Sequence, residues 1–176
     1  VYLESQDYWR LAGIFDDVWL FAKSDVHIFD WHATTDLDEN YENAKLNLQI
    51  TVNNQSKTNK QNYKVRASLF NSENVLVQNF ISDGVQITAD DKQLINISSQ
   101  ILNPKKWTAE TPNLYRLTFE LINNKGKTEE VITGRIGFKE TAIRNQVFYL
   151  NGKAIKLNGI NTHMQHPTLG HTMDEA

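Results

Sequence analysis

The sequence predicts an all-β protein built around an immunoglobulin-like β-sandwich, and three observations carry that expectation. Apolar and polar residues alternate with a period of two, most plainly from Lys45 to Val52, where Leu46, Leu48, Ile50 and Val52 alternate with Lys45, Asn47, Gln49 and Thr51. Turn-forming residues stand where such runs stop: Asn53-Asn54, Asn71-Ser72, Asp83-Gly84, Asn103-Pro104 and Asn123-Asn124-Lys125-Gly126. No stretch sustains the apolar period of about 3.6 residues that marks a helix.

Composition sets the bounds. A chain of 176 residues, 40% of them hydrophobic, can bury one full core with flanking pieces. The net charge of -3 gives no nucleic-acid footprint, and the densest basic stretch, Lys57 to Arg66, reads as a solvated loop and strand edge. Without cysteine there is no disulfide, thiolate zinc site or cysteine nucleophile. No apolar run approaches the roughly 18 residues of a membrane span, so neither nucleic acid nor membrane is expected as a partner. The chain starts at Val1 without a charged-then-apolar leader, and is expected to be internal to a longer protein.

In order along the chain, residues 1 to 24 are rich in aromatics but too short to enclose a core. Trp9, Ile14, Phe15, Val18, Trp19 and Phe21 need partners that this segment does not supply. From Asp25 to about Glu140 the pattern gives about seven antiparallel strands, at 26–33, 43–53, 63–71, 74–81, 93–101, 113–122 and 127–138, joined as a Greek key. Val65, Ala67 and Leu69 repeat the alternation, as do Ile95, Ile97 and Ile101, and then Tyr115, Leu117, Phe119 and Leu121. Between the fifth and sixth strands, Pro104 and Pro112 fix a loop, with Trp107 capping one end of the core and Tyr115 entering the next strand facing inward.

Chemistry concentrates near the end, in Phe148 to Pro167. Asn151-Gly152 lies between the apolar runs Phe148–Leu150 and Ala154–Leu157, which predicts a tight hairpin with a type I′ turn. A loop bearing Asn161, His163, Gln165 and His166 follows, ended by Pro167. His163 and His166 could suggest zinc, but no third ligand stands at compatible spacing. The N-x-Ser sequons at Asn54 and Asn96 are read as accidental.

Three stretches carry a resemblance. Asn161, His163, His166, Pro167 and Gly170 match the pattern at the opening of the barrel domain in the lac-type β-galactosidases of glycoside hydrolase family 2. Gln6, Asp7, Trp9, Arg10, Ala12, Gly13, Ile14 and Phe15 resemble the end of the same enzymes' sugar-binding jelly roll, although Asp16 stands where an arginine is usual. Asn103, Pro104, Trp107, Pro112, Leu114 and Tyr115, with Gly137-Phe138-Lys139-Glu140 after them, resemble the family's middle sandwich and its exit into the barrel.

The resemblance implies three regions: 1–24 as the end of the sugar-binding domain, 25–140 as the complete immunoglobulin-like domain, and 141–176 as the start of a TIM barrel. It implies that Asp7 contacts galactose and a sodium ion, and that His163 hydrogen-bonds galactose and helps stabilise the transition state. Asn161 is balanced between structural support and substrate contact, and Met164 and Gln165 depart from what many relatives carry. The family's acid/base and nucleophile glutamates and its magnesium ligands lie on later strands, so this chain alone is expected to hydrolyse nothing. Glu110, Glu120, Glu129 and Glu130 are read as loop or wet-face residues, not substitutes. The parent is expected to be a homo-oligomer, using magnesium and sodium, that cleaves terminal β-galactosides with retention. The alternatives are a β-glucuronidase or β-mannosidase of the same family, and a free-standing immunoglobulin-like binding module.

Overall fold

The computed structural model describes residues 4, 5, 8, 9, 13, 14, 17–163, 166, 168 and 170. Among the described residues thirteen strands follow one another: β1 (Glu4–Ser5), β2 (Tyr8–Trp9), β3 (Val26–Leu37), β4 (Ala44–Asn54), β5 (Lys60–Phe70), β6 (Leu76–Ile81), β7 (Val85–Ile87), β8 (Asp91–Ile101), β9 (Tyr115–Ile122), β10 (Thr128–Ile136), β11 (Thr141–Arg144), β12 (Val147–Leu150) and β13 (Lys153–Ala154). Among the described residues there is no helix, and so none long and apolar enough to cross a membrane. The chain divides into two compact units, Lys23–Lys156 and the combination of Val1–Ala22 with Leu157–Ala176.

The larger unit is an immunoglobulin-like sandwich. One sheet has the order β3-β4-β8, and the other β10-β9-β5-β6, with β7 also on β5. Every pairing in the two sheets is antiparallel. The chain crosses between sheets after β4, returns after β7 and crosses again after β8, which is the Greek-key wiring. β6 and β7 share one edge of β5, so the architecture is the seven-stranded one that the periodicity predicts, with one strand broken near Gly84.

The alternating residues form the core. Leu46, Leu48, Ile50 and Val52 of β4 face Val65, Ala67 and Leu69 of β5 and Leu117, Phe119 and Leu121 of β9, all buried. Tyr115 is buried as expected and meets Phe138 edge-on, with ring centroids 4.9 Å apart. The proline-flanked loop is tied to the exit of the sandwich. The Trp107 N–H donates to the Phe138 carbonyl at 2.9 Å, and the Lys105 N–H donates to the Tyr115 hydroxyl at 2.8 Å.

Three local features depart from simple alternation. A bulge between Ile28 and Asp30 in β3 turns Phe29 outward, where the Lys92 ammonium sits 3.4 Å from its ring centroid. Trp31 then tilts against Phe119, with centroids 5.1 Å apart, in front of Gly134 on β10. A second bulge between Thr128 and Glu130 reorders the two glutamates read as wet-face residues. Glu129 accepts from the Tyr63 hydroxyl at 3.0 Å and from the Asn123 amide at 2.8 Å. Glu130 reaches the other sheet, accepting the Ile28 N–H and lying 3.6 Å from the Lys23 ammonium. A carboxylate facing the open end of a bulge supplies the acceptor that the missing ladder bond would have provided.

Candidate functional site

The predicted turn at Asn151-Gly152 forms, with φ of 48° and 75°. It joins β12 to β13, and β11 completes a three-stranded sheet. The second arm is shorter than the apolar run implied: Ile155 still donates to the Phe148 carbonyl at 2.9 Å, and the chain then leaves the ladder. β11 and its turn were not legible, because Asn145-Gln146 places glutamine rather than glycine at positive φ, 49° and 65° for the pair.

Asn151 fastens this small sheet to the sandwich. Its N–H donates to the Glu140 carbonyl, its side-chain oxygen accepts the Glu140 N–H, and its amide donates to the Trp107 carbonyl, at 2.9, 2.9 and 3.0 Å. Arg144 adds a bond to the Tyr41 hydroxyl at 3.3 Å. Asn-Gly signals a turn by itself; its third bond, to a loop forty-four residues away in sequence, had no local trace.

Beyond β13, residues 155–163 run without regular structure, and the histidine loop belongs to the smaller unit. His163 is exposed, as are Asn161 and Thr162. His166 pairs with Gly170 in a closed turn, their backbone groups bonding at 2.7 and 3.1 Å. Gly170 has a φ of 81°, which explains a glycine at the last position of the motif. The His166 Nδ1 accepts the Thr168 N–H at 3.3 Å and lies 3.1 Å from its hydroxyl, so this imidazole shapes its own loop. Among the described residues no three carboxylates or imidazoles converge as a metal site. Asp7, Gln6, Met164, Gln165 and Pro167 lie outside the described residues. β1 and β2 pair antiparallel, Glu4 opposite Trp9 and Ser5 opposite Tyr8. Asn54, the first sequon, is buried with its amide nitrogen bonded to the Thr58, Ile87 and Thr88 carbonyls, which leaves that nitrogen inaccessible to glycosylation in the folded chain.

The described residues thus give an immunoglobulin-like sandwich followed by a fastened hairpin, with a histidine-bearing loop in the smaller unit. Residues 26–139 match the family model described as Glycosyl hydrolases family 2, and the chain belongs to that family. It is 34% identical over 164 residues to a β-galactosidase of Priestia megaterium, covering 92% of this chain and 16% of that protein. It is 36% identical over 179 residues to one of Pseudoalteromonas haloplanktis, covering 99% and 17%. Among solved structures, a β-glucuronidase of Bacteroides uniformis superposes with a TM-score of 0.80 at 25% identity, over 97% of this chain and 21% of that one. A β-glucuronidase of Parabacteroides merdae shares the fold, with a TM-score of 0.69 at 23% identity over 86% and 18%. The chain thus spans 16–17% of the length of the curated relatives it matches.

Proposed function

We propose that this chain is part of a β-galactosidase that removes terminal non-reducing β-D-galactose with retention. The observation that carries the reading is the reach of the likeness to the β-galactosidases. At 36% identity it runs over 99% of the chain, taking in both the first segment with Asp7 and the loop with His163. In this reading residues 1–24 close the sugar-binding domain, 25–140 are the sandwich spacer and 141–176 open the barrel.

His163 donates a hydrogen bond to galactose and strengthens it as charge develops at the sugar ring, a role for which an accessible imidazole is suited. Asp7 offers carboxylate oxygens to the sugar and to sodium. In the whole enzyme Asp7 would help hold sodium, and magnesium, with ligands on later strands, would supply further positive charge. The parent assembles as a homo-oligomer.

The chain alone is inactive. A retaining glycosidase needs two carboxyl groups about 5–5.5 Å apart across an open site. Here Glu120 is held by Arg66 at 3.1 Å, Glu129 by Tyr63 and Asn123, and Glu130 by Ile28 and Lys23. The likeness to β-glucuronidase structures favours a second reading, with a glucuronide in place of the galactoside.

Nitrophenyl glycosides of galactose, glucuronic acid and mannose, given to the full-length gene product and to the 176-residue chain, test these readings together. Release from the galactoside by the full-length protein only is the expected result. Preference for the glucuronide overturns the galactosidase reading, and release by the short chain overturns its inactivity.

A further inference from the structure

The outer face of the larger sheet contains a pairing that the fold does not account for. Arg116 of β9 and Arg135 of β10 are directly opposite in the antiparallel register, so their side chains leave the sheet on the same side. Like charges so placed repel, and cross-strand neighbours are where natural sheets put opposite charges. Two rows further along the same face stands the usual solution, with Glu120 opposite Arg66 and bonded to it at 3.1 Å.

Among the described residues neither arginine has a carboxylate partner. The Arg116 guanidinium is held in place 4.3 Å from the Phe70 ring centroid, donating to the Thr118 hydroxyl at 3.2 Å and to the Asn74 side-chain oxygen at 3.3 Å. The Arg135 side chain is exposed and, among the described residues, makes no hydrogen bond or ion pair. It lines two adjoining depressions, one of about 400 Å³ shared with Arg116, Asn71 and Asn74, the other of about 480 Å³ shared with His32 and Lys139. No aspartate or glutamate lines either one. The carboxylate of Glu73, on the loop beside the first, is turned to Lys105 at 3.8 Å.

The neutral groups point the same way. The Asn71 side-chain oxygen is occupied by the N–H groups of Glu73 and Val75, and that of Asn74 by Arg116. The Asn71 oxygen is thereby filled, and each amide keeps its N–H2 group to donate. A cleft lined by guanidinium and amide donors, in a chain whose net charge is -3, matches the planar or tetrahedral oxygens of an anion.

We propose that Arg116 and Arg135, with the amides of Asn71 and Asn74, form a binding site for an oxyanion ligand of phosphate or carboxylate type. The site lies wholly on the sandwich and does not depend on the galactosidase reading. The ligand removes the repulsion between the two guanidinium groups by bridging them.

The test is a titration of the 176-residue chain with inorganic phosphate, pyrophosphate and citrate. It is followed by the NMR signals of the arginine Nε–H and asparagine side-chain amide groups. A saturable response at Arg116, Arg135, Asn71 and Asn74 is expected, weakened about tenfold or more by Arg135→Gln or Arg116→Gln and by added salt. Lys57→Gln, which removes a cation paired with Asp90 elsewhere, leaves the affinity within about twofold. A response to the phosphates alone assigns a phosphoryl ligand, and a response to citrate alone a carboxylate. Arg135→Glu abolishes binding and raises the melting temperature by a few degrees, because it turns the repulsive pair into an attractive one. No saturable response to any of the three anions, or an equal response in Arg135→Gln, overturns the proposal.

Discussion

Trp31 of one sheet and Gly134 of the other meet across the sandwich, and substituting the glycine tests how rigid that contact is. A methyl group on Gly134 would stand 2.2 Å from Trp31 Cζ2 and 2.6 Å from Cη2, where carbon atoms in contact need about 3.5–4.0 Å. The indole has little room to retreat, since the ring of the fully buried Phe119 lies behind it at 5.1 Å. Alanine in a strand interior is otherwise favoured over glycine by about 0.5–1 kcal/mol, so the intrinsic preference and the clash have opposite signs. Overpacking of this severity costs about 2–3 kcal/mol, and the clash wins.

Trp31→Ala on its own loses about 3 kcal/mol, the lower end for a large aromatic, because Trp31 is only half-buried. In the double variant the methyl has nothing to strike. It should be no less stable than Trp31→Ala alone, giving a coupling of about 2–3 kcal/mol between the sites. Urea unfolding followed by far-ultraviolet circular dichroism measures all four proteins without relying on the deleted tryptophan. If Gly134→Ala unfolds like the parent, or the two effects add within about 0.5 kcal/mol, the contact does not hold the sheets in register and the reasoning fails.

Four further outcomes are expected. Burial and the neighbouring Glu129 push the Tyr63 hydroxyl up to about 12, so the neutral form stabilises the fold below about pH 10 and that contribution disappears as pH rises towards 12. Tyr63→Phe should lack this alkaline loss, which is on the order of 2 kcal/mol, in melts taken between pH 9 and pH 12. The N–H groups of Glu42 and Asn43 hold the Asp38 carboxyl below its ordinary range. The stability it lends is therefore present above about pH 4 and lost as pH falls further, and the advantage over Asp38→Asn should shrink in that window. Glu130→Ala leaves the Ile28 N–H without its acceptor and should cost about 1–3 kcal/mol, whereas Glu130→Gln keeps an acceptor and should cost less; hydrogen exchange at the Ile28 amide reports the difference. In the full-length enzyme, His163→Ala should lower kcat by about a hundredfold with a nitrophenyl galactoside, and unchanged turnover would remove His163 from the active site.

What could be read from the sequence follows from the range of the forces involved. Strands β4, β5 and β9 announce themselves because each buries every second side chain on its own account, and that information is local. The bulges escaped notice because they depend on a distant partner. Glu129 and Glu130 look like an ordinary polar pair until Ile28 and Tyr63 come within bonding distance from strands more than sixty residues away. β10 shows the same limit: Val131 is exposed and Gly134 half-buried, so hydropathy along the strand does not reveal which face meets Trp31. For the histidine loop the pattern was legible as a motif, and Gly170 and His166 give it a physical reason, a closed turn that only glycine enters easily.

The sandwich and the hairpin that follows it are joined through a few polar residues. The sandwich is closed by its alternating core, and the three-stranded sheet that follows it is held to it at one fixed point. Asn151 supplies that point by spending its backbone N–H and both ends of its side chain on Glu140 and Trp107, the latter anchored in turn to Phe138 in the core. Alanine at 151 would leave the Glu140 N–H and the Trp107 carbonyl without partners, and the hairpin would pivot about the sandwich instead of continuing it.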